Sequence, residues 1–463
     1  MPAQQSPAFF LPQIKSLNFV YRPKTRITNF VFTFCVDSAI LKIEYFSGGH
    51  LFLMHTPNLQ ELLICRDILD DKTIKNFLEA IANLQQTAGQ HKLAADLIEQ
   101  AEDLGLSGNL LRSYFIYLLA QGQNTAAQMT EKSNGKIGDS LYQAFFHDME
   151  LFYEIFHILP STLFHTNMLD DYTPTQKTNL PAFNLLNEEI NQTDNPTALT
   201  NAFLNYYQTY GYGDIANYRA FHWDKEKKLI GIRHFEAIKL TDLVGYQHQK
   251  DLLIQNTEAF ATGKPANNVL LVGARGTGKS SSVKALANTY YEKGLRLIQI
   301  SKSQLIELPK IMETLRQLAS KKFILFLDDL SFEPFEIEYK YLKSAIEGGV
   351  ESRPDNVLIY ATSNRRHIIK ENWQDRDDTQ DELYRADSVN ETISLSDRFG
   401  LTIHFLSPNQ DEYLAIIDHL LQKEKIVLDK EDLRIQALRW EMTHSGRSGR
   451  VAQQFVTSYL GNL

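Results

Sequence analysis

The segment from Val269 to Glu292 constrains the fold of this chain more than any other part of the sequence. It opens with the apolar run Val269-Leu270-Leu271-Val272, which predicts a buried parallel strand. A loop follows that matches G-x-x-x-x-G-K-[ST] at every fixed position, Gly273-Ala274-Arg275-Gly276-Thr277-Gly278-Lys279-Ser280. Ser281–Glu292 then carries apolar residues at helical spacing. The segment therefore predicts a strand, a glycine loop and a helix, the context in which this motif binds phosphate.

The loop residues predict a site for a nucleoside triphosphate and Mg²⁺. Glycines let the backbone turn so tightly that successive N–H groups point at phosphate oxygens, and the following helix adds the partial positive charge of its N-terminus. Lys279 can reach the outer phosphates, and the Ser280 hydroxyl can ligate Mg²⁺. A chance glycine turn is the alternative, and the complete motif in this context disfavours it.

Composition narrows the class of protein. The 463 residues are enough for about three domains. No apolar run approaches the roughly 18 residues that cross a bilayer, and the N-terminus lacks the pattern of a secretory signal. The two cysteines, Cys35 and Cys65, are predicted to be reduced core thiols, so we expect a cytoplasmic protein. The net charge of −9 gives no strong nucleic-acid signature, although local basic patches are compatible with it.

The N-terminal half carries no motif of comparable specificity. Three runs rich in β-branched and aromatic residues predict a small strand-bearing piece, with a buried helix as the competing interpretation: Phe30–Val36, Ile40–Phe46 and Leu51–Met54. Helical spacing begins at Thr73, is broken by a polar stretch up to Gly138, and returns in the aromatic-rich Leu141–Leu159. Leu169–Pro196 is predicted to be irregular. A hairpin is predicted next, with strands Tyr218–Trp223 and Leu229–Ile232.

A second apolar run, Lys322–Leu327, ends in two carboxylates. A carboxylate at the end of a strand beside the glycine loop is placed to hold Mg²⁺, directly or through water. We predict that Asp328 is the metal-side residue and that Asp329 polarises the attacking water, with Glu333 as a weaker substitute.

Three later segments add an amide and two arginines. Val357–Ala361 predicts a third strand, and Asn364 after it can hydrogen-bond the γ-phosphate or the attacking water. Arg398 lies in Leu395–Gly400, and Arg450 opens the last predicted helix. A guanidinium group can stabilise a transferring phosphoryl group through two parallel hydrogen bonds. For Arg398, a structural salt bridge to a carboxylate is the alternative.

These residues resemble an AAA+ ATPase in their order along the chain. The order is Leu243-Val244-Gly245-Tyr246, the glycine loop, Asp-Asp, Ser-Asn, Ser-Asp-Arg-Phe and Gly-Arg-Ser-Gly-Arg. More narrowly, YATSNRRH, SDRFG and SGRSGRVAQQF resemble the largely bacterial AAA+ family catalogued as domain of unknown function 815. The resemblance covers Tyr218–Leu463, roughly the C-terminal half.

The resemblance implies a role for each matching residue. Asp328 and Asp329 form the Walker B pair, and Asn364 is sensor 1. Most relatives carry Glu in place of Asp329, whose shorter side chain predicts slow turnover. Arg398 matches the arginine finger that reaches the γ-phosphate of a neighbouring subunit, and Arg450 matches sensor 2, with Arg447 as the near alternative. The implied ATP-binding residues, including the Walker A loop and an adenine pocket, are Leu243, Val244, Gly245, Gly273, Ala274, Arg275, Gly276, Thr277, Gly278, Lys279, Ser280 and Ser281.

We expect an α/β P-loop AAA+ parallel sheet flanked by helices, a small C-terminal helical lid, and a mostly helical N-terminal domain, with boundaries 1–215, 216–406 and 407–463. The leading hypothesis is an ATPase that binds Mg²⁺-ATP between the subunits of a homo-oligomer and hydrolyses it to remodel an unknown protein or nucleic-acid client, with no membrane partner. An ATP-gated switch or scaffold and a DNA-replication-type loader or initiator are the alternatives. Ser301–Pro309 lacks the aromatic-apolar-Gly motif of polypeptide-threading rings, which argues against an unfoldase.

Overall fold

A computed structural model describes residues 30–36, 39–45, 51–82, 87–164, 166–178, 180–226, 228–332, 336–347, 353–364, 398–426, 428–444 and 446–462. The chain divides into two compact units, Met1–Ala126 with Ile137–Phe203 and Ala127–Lys136 with Leu204–Leu463. Within the described ranges, none of the helices combines the length and the apolar composition needed to cross a bilayer. The domain boundaries that we predicted from the sequence stay a prediction.

The N-terminal half begins with a three-stranded antiparallel meander of β1 (Phe30–Val36), β2 (Ala39–Tyr45) and β3 (Leu51–Pro57). The strand interpretation of this region is confirmed, and the competing buried helix is wrong. The rest of this half is mostly helical, as predicted. Its helices are α1 (Lys72–Ala82), α2 (Thr87–Leu104), α3 (Leu110–Gln121), α4 (Thr125–Lys132), α5 (Asp139–Phe156), α6 (Pro160–Phe164), α7 (Pro181–Ile190), α8 (Pro196–Thr209) and α9 (Gly213–Asn217).

Two stretches that read as irregular in the sequence contain helices. The polar stretch before Gly138 includes α4, in which Ala126 and Ala127 are fully buried. Its apolar stripe consists of small residues, so the hydrophobic period is weak. Leu169–Pro196 includes α7, which has a proline in its first turn. Proline suits that position because the first N–H groups of a helix have no partner inside the helix.

A seven-stranded sheet forms the centre of the second unit. Its strands are β4 (Ala220–Asp224), β5 (Lys228–Gly231), β6 (Val269–Gly273), β7 (Leu295–Gln299), β8 (Lys322–Leu327), β9 (Val357–Ser363) and β10 (Leu401–Phe405). They lie in the order β10-β6-β9-β8-β7-β4-β5, and every neighbouring pair except β4 with β5 is parallel. The four central strands are almost continuously apolar because helices cover both faces of the sheet.

Successive residues of the central strands point to opposite faces, and each face has its own helices. Leu270 and Leu325 belong to a core shared with α12 (Leu308–Arg316) and α13 (Glu338–Glu347). Leu271 and Ile324 belong to the other core, which is shared with α10 (Gln247–Ala261) and α11 (Lys279–Thr289). These two layers of helices on a mostly parallel sheet confirm the predicted α/β fold class.

The predicted hairpin is present as β4 and β5, and it extends the seven-stranded sheet. Ala220 of β4 pairs with Leu297 of β7 in parallel, while Trp223 pairs with Leu229 in the antiparallel turn. The sequence predicted a leading hairpin without this connection. The hairpin therefore forms one edge of the central sheet.

A small helical lid ends the chain, as predicted. It consists of α14 (Gln410–Lys423), α15 (Lys430–Met442) and α16 (Gly449–Leu460). Each helix begins with a side chain that accepts a hydrogen bond from a backbone N–H of the first turn, supplied by Asn409, Asp429 and Ser448. The three helices share a core of their own, which includes Tyr413, Ile417, Leu421, Val451 and Phe455.

Candidate functional site

The sheet order brings the ends of three strands together at one edge. β6 pairs with β9, and β9 pairs with β8, all in parallel. Their carboxyl ends therefore meet, and each is followed by polar residues of the predicted site. The glycine loop follows β6, Asp328 and Asp329 follow β8, and Asn364 follows β9.

The glycine loop needs glycine at two positions for steric reasons. Gly273 has φ = 149°, and a Cβ atom there would lie 1.9 Å from the carbonyl oxygen of Phe405. Gly276 has φ = 75°, and a Cβ atom there would lie 2.9 Å from both the Cβ of Arg450 and the Oγ of Ser448. The first position thus allows close approach to β10, and the second allows close approach to the lid. Helix α11 begins directly after this loop, at Lys279.

Lys279 lies at the base of the loop and is only 5% exposed. Its Nζ donates to the carbonyl oxygens of Gly273 at 2.8 Å and Ala274 at 2.7 Å, and to Oδ1 of Asn364 at 3.0 Å. Burial lowers the pKa of this ammonium below its ordinary value, and the charges of Asp329 and Asp328 oppose that shift. The loop therefore holds the ammonium group of Lys279 against the end of β9.

Two hydroxyl groups converge on one oxygen of Asp328. Ser280 Oγ donates to Asp328 Oδ1 at 2.6 Å, and Thr362 Oγ1 donates to the same oxygen at 2.7 Å. A hydroxyl that donates its proton keeps its lone pairs for a cation, and Mg²⁺ prefers hard oxygen ligands of this kind. Ser280 and Asp328 therefore fit the metal-binding role that the sequence predicts. Within the described ranges, no cluster of three or more His, Cys, Asp or Glu residues suits a metal ion.

Asp329 projects its carboxylate toward the amide and the arginine of the site. Its φ of 54° lies in the left-handed region, and its N–H donates to Thr362 Oγ1 at 2.9 Å. Asn364 Nδ2 donates to Asp329 Oδ1 at 2.5 Å, while Arg275 Nη2 lies 3.9 Å from Asp329 Oδ2. Lys279, Asn364 and Asp329 thus form a continuous chain in which the amide oxygen faces the cation and the amide nitrogen faces the anion.

The lid closes over the glycine loop through its last helix. The backbone N–H of Arg450 donates to the carbonyl oxygen of Gly276 at 3.3 Å. A cavity of about 380 Å³ lies below this contact, and its wall is formed by Arg275, Gly276, Thr277, Gly278, Lys279, Ser280, Ser281, Asp328, Asp329, Thr362, Asn364 and Arg450. Its polar lining and its two carboxylates beside two arginines and a lysine suit a triphosphate with a cation.

A second cavity of about 300 Å³ lies on the other side of the loop. It shares Gly276, Thr277, Gly278, Ser281 and Arg450 with the first cavity, and adds Asp242, Leu243, Val244, Tyr246, Lys250, Ser282, Phe405, Ile416, Leu420, Gly449 and Gln453. Lys250 Nζ donates to the carbonyl oxygen of Leu243 at 2.8 Å, which fixes the predicted adenine-pocket segment against α10. Leu243 and Val244 line this cavity, whereas Gly245 connects them to Tyr246 without lining it.

The predicted arginines occupy three different environments. Arg450 lines both cavities. Arg447 Nε donates to Glu441 Oε2 within the lid at 3.0 Å, and its side chain lines neither cavity. Arg398 forms an ion pair with Glu347 at the end of α13 and also lies outside both cavity walls. The roles of sensor 2 and of the arginine finger stay predictions.

Three further predicted site residues, Gly273, Ala274 and Glu333, line neither cavity or lie outside the described residues. Gly273 and Ala274 contribute carbonyl oxygens to Lys279 and line neither cavity. Glu333 lies outside the described residues, as do Ser396 and Asp397 before Arg398.

Sequence reasoning missed Thr362, whose hydroxyl joins the carboxylate of Asp328 to the backbone N–H of Asp329. A signal for it was present, because Thr362 and Asn364 are two residues apart at the end of a strand and such residues share a face. Lys250 and Gln453 were also missed. Lys250 lies in a helix without a motif, and Gln453 follows Arg450 in the quoted SGRSGRVAQQF stretch without a role assigned to it, so only the fold brings them to the second cavity.

Comparison with solved structures finds RuvB of Thermotoga maritima, described as a Holliday junction branch migration motor, at 17% identity and a TM-score of 0.31. The match covers 46% of this chain and 61% of that one. A point mutant of the same protein matches at 17% identity, with 46% and 62% of the two chains covered and a TM-score of 0.33. This chain thus spans about three fifths of the length of these proteins, and a likeness at this level carries no inference about activity or partners.

Comparison with curated proteins finds no match. A family of sequences, described as protein of unknown function (DUF815), matches residues 216–463, which is more than half of the 463-residue chain. The match begins just before the hairpin of β4 and β5 and includes the glycine loop, both carboxylates, Asn364 and the lid. The chain therefore belongs to the DUF815 family.

Proposed function

We propose that this protein binds Mg²⁺-ATP in the two connected cavities and hydrolyses it. The observation that carries the proposal is the unbroken chain from Lys279 through Asn364 to Asp329, with Ser280 and Asp328 beside it. These five side chains come from three separate strand ends, and each belongs to a residue type that phosphoryl transfer uses. A purely structural network would have no need of a glycine loop and a helix N-terminus at its centre.

Binding uses the loop backbone, the start of α11 and Lys279 for the phosphates. Lys279 exchanges its carbonyl partners for phosphate oxygens, which are stronger acceptors because they are charged. The base occupies the second cavity, against Leu243, Val244 and Tyr246. Ser280 and Asp328 would hold Mg²⁺, which would supply neutralisation of the phosphate charge. Arg450 contacts both cavities, so nucleotide binding draws the lid onto the loop.

Hydrolysis depends on where Asp329 and Asn364 hold the attacking water. Asp329 accepts a proton from the water or orients it, and Asn364 positions that carboxylate by donating to it. If the side-chain amide of Asn364 rotated by half a turn, its NH₂ group would face the ammonium of Lys279, and two donors would then oppose each other. Lys279 therefore controls the orientation of the amide, and through it the position of the base.

The oligomeric part of the proposal concerns Arg398. In this proposal Arg398 reaches the γ-phosphate bound by a neighbouring copy of the chain, and hydrolysis moves lid and subunits against an unidentified macromolecular client. Its location outside both cavities of its own chain is compatible with a role in a neighbour. Its ion pair with Glu347 is also compatible with a structural role, so the two must be separated by experiment. A cytoplasmic location stays a prediction.

The test is steady-state ATP turnover as a function of protein concentration, for the wild type, Arg398→Ala and Glu347→Ala. Removal of an arginine finger lowers kcat by about a hundredfold or more, whereas removal of its ion-pair partner leaves the finger in place. We expect specific activity to rise with concentration, to collapse in Arg398→Ala, and to survive in Glu347→Ala. An equal loss of ATP turnover in Arg398→Ala and Glu347→Ala would show that the salt bridge between these residues is what turnover requires. Arg316→Ala, which removes an exposed arginine next to Glu313, serves as the matched control.

An ATP-gated switch is the second candidate, favoured by the environment of Asp329. This carboxylate is one methylene shorter than Glu, and both of its oxygens face cationic or amide groups, Asn364 on one side and Arg275 on the other. Both carboxylate oxygens therefore already have partners within the chain. Negligible turnover at every protein concentration, combined with retained ATP binding, would support the switch and reject the motor.

A further inference from the structure

We infer that Thr362 is a positioning residue for Mg²⁺, one that acts by fixing the carboxylate of Asp328 and the backbone of Asp329 at once. Its Oγ1 lies 2.7 Å from Asp328 Oδ1 and 2.9 Å from the backbone N of Asp329. The residue is 2% exposed, and it lies in β9 beside β8, the strand that Asp328 and Asp329 follow. The inference rests on the proposed Mg²⁺-ATP site.

The direction of these two hydrogen bonds is determined by chemistry. A backbone N–H can only donate, so the hydroxyl oxygen of Thr362 accepts from Asp329. A carboxylate can only accept, so the single hydroxyl proton goes to Asp328. The hydroxyl therefore uses its proton and one lone pair in a fixed orientation. A side chain with only one of these capacities could not replace it.

The consequence for Asp328 is a carboxylate held from two strands. Ser280, at the start of α11, and Thr362, in β9, both donate to Oδ1. If Ser280 contributes its oxygen to Mg²⁺, the Thr362 contact still keeps Asp328 at the end of β8 and facing the glycine loop. Partners that orient a metal ligand in this way commonly change metal affinity by about 10- to 100-fold when removed.

The consequence for Asp329 is a backbone held in an uncommon conformation. Its φ of 54° is in the left-handed region, which a residue with a side chain adopts at some cost. The hydrogen bond from its N–H to Thr362 stabilises this turn and directs the carboxylate toward Asn364. A single hydroxyl thus links the predicted metal-side carboxylate with the predicted base.

The experiment measures affinity for a fluorescent ATP analogue with Mg²⁺ and with EDTA, together with the Mg²⁺ dependence of turnover. Thr362→Val removes both hydrogen bonds and keeps the β-branched shape, and Thr362→Ser keeps the hydroxyl. Thr257→Val is the matched control, because Thr257 is a buried threonine of the same unit whose hydroxyl bonds to Tyr360 of β9, outside both cavity walls. Thr362→Ala is a second variant that cannot overpack the site.

We expect Thr362→Val to bind the analogue in EDTA within about twofold of the wild type, and to need about tenfold more Mg²⁺ for tight binding. Thr362→Ser restores the Mg²⁺ dependence, and Thr257→Val leaves it unchanged. The inference is overturned if Thr362→Val and Thr362→Ala show the Mg²⁺ dependence of the control, or if serine fails to restore it. A wild type that binds with Mg²⁺ but does not turn over would instead reject hydrolysis, and the binding measurement would still decide the role of Thr362.

Discussion

Two buried lysines of the second unit have different surroundings, and the comparison separates a site from a structural anchor. Lys279 and Lys321 are 5% and 0% exposed, and burial lowers the pKa of both. Lys279 lines an open cavity, and its partners are two loop carbonyls and the amide of Asn364. Its hydrogen bonds can therefore be exchanged for those of a ligand without exposing a buried charge.

Lys321 lies in a closed network. Its Nζ donates to the carbonyl oxygens of Tyr207 at 3.1 Å and Gln208 at 2.7 Å and to Ser320 Oγ at 2.7 Å, and it lies 3.7 Å from Glu131 Oε1. At that distance the carboxylate is an ion-pair partner rather than a hydrogen-bond acceptor. Neither oxygen of Glu131 has a hydrogen-bond partner among the described residues. The carboxylate of Glu131 thus compensates the charge of Lys321. This carboxylate is a buried part of the protein itself, so a bound ligand does not take its place.

The fully buried Arg296 extends this network. Its guanidinium donates to the carbonyl oxygens of Ile215, Tyr291, Leu295 and Tyr210, and it lies 4.2 Å from the ring centroid of Tyr291. Because Glu131 lies in α4 and Lys321 directly precedes β8, the network connects the Ala127–Lys136 segment to the central sheet. Lys321 and Arg296 line neither cavity of the candidate site, so the network fixes chain segments in place and takes no part in that site.

The largest effect is expected from Lys321→Met. The variant leaves the Glu131 carboxylate buried with Arg296 as its nearest remaining cation, and breaking a buried pair in this way costs about 3–5 kcal/mol. The free energy of unfolding, measured by urea titration at pH 7, should fall by that amount. Lys293→Met removes an exposed ion pair with Glu258 and should cost about 1 kcal/mol or less.

The double variant Lys321→Met with Glu131→Leu sharpens this result. Replacement of a buried ion pair by apolar side chains is often neutral, so the second substitution should restore most of the lost stability. If the double variant is as unstable as the sum of both single variants, the ion pair is not the source of the effect.

Lys279→Met should lower ATP turnover strongly and the free energy of unfolding only slightly, in contrast to Lys321→Met. ATP turnover should fall by about 10²–10³-fold, because a cation aimed at the developing charge of the transferring phosphoryl group is lost. The free energy of unfolding should change by about 1 kcal/mol or less, since water in the cavity can satisfy the released carbonyl groups. Lys284→Met, one turn further along α11 and paired with Glu236, is the control and should retain turnover. Turnover that is unaffected in Lys279→Met would contradict the proposed site.

The two lysines also differ in how well the sequence predicts them. Lys279 could be assigned because its strand, loop and helix are contiguous, and because parallel strands end at the same edge of a sheet. The same rule places Asp328, Asp329 and Asn364 from their own apolar runs. Lys321 directly precedes such a run, at a position where an exposed charge is common, and no motif marks it.

Its partner Glu131 was beyond the reach of the sequence for a different reason. The surrounding stretch is rich in Gln, Asn and Gly and reads as a connection, although it forms α4. Almost 200 residues separate the two charges, and no local period reports a contact of that kind. Thr362 lies only two residues from Asn364 and was missed for another reason. The strand pattern indicates which face of the sheet a residue occupies, but it does not indicate the hydrogen bonds that its side chain makes.

The smallest expected effect is a pH dependence of stability that Lys321 confers. Burial lowers the pKa of Lys321 to about 7, and the charge of Glu131 opposes this shift. An unfolded lysine titrates near pH 10 (about 10.4), so the unfolded chain binds more protons between about pH 7 and 10, and the free energy of unfolding rises with pH in that window. Glu131 acts in the reverse sense at lower pH, because burial raises its pKa and its contribution is lost as the pH rises through that value.

Urea unfolding at pH 7 and pH 9 measures this dependence in the window above the folded-state pKa of Lys321. The rise can reach at most about 1.4 kcal/mol per pH unit for one group. Arg296 faces the same carboxylate, and burial lowers its pKa, but a guanidinium stays protonated in this pH range and so adds no slope. Lys321→Met should lose the rise, and Lys293→Met should retain it. A rise that persists in Lys321→Met would assign it to another group, and Lys321 would then be a charged anchor at neutral pH, held by Glu131 and the carbonyl oxygens of Tyr207 and Gln208.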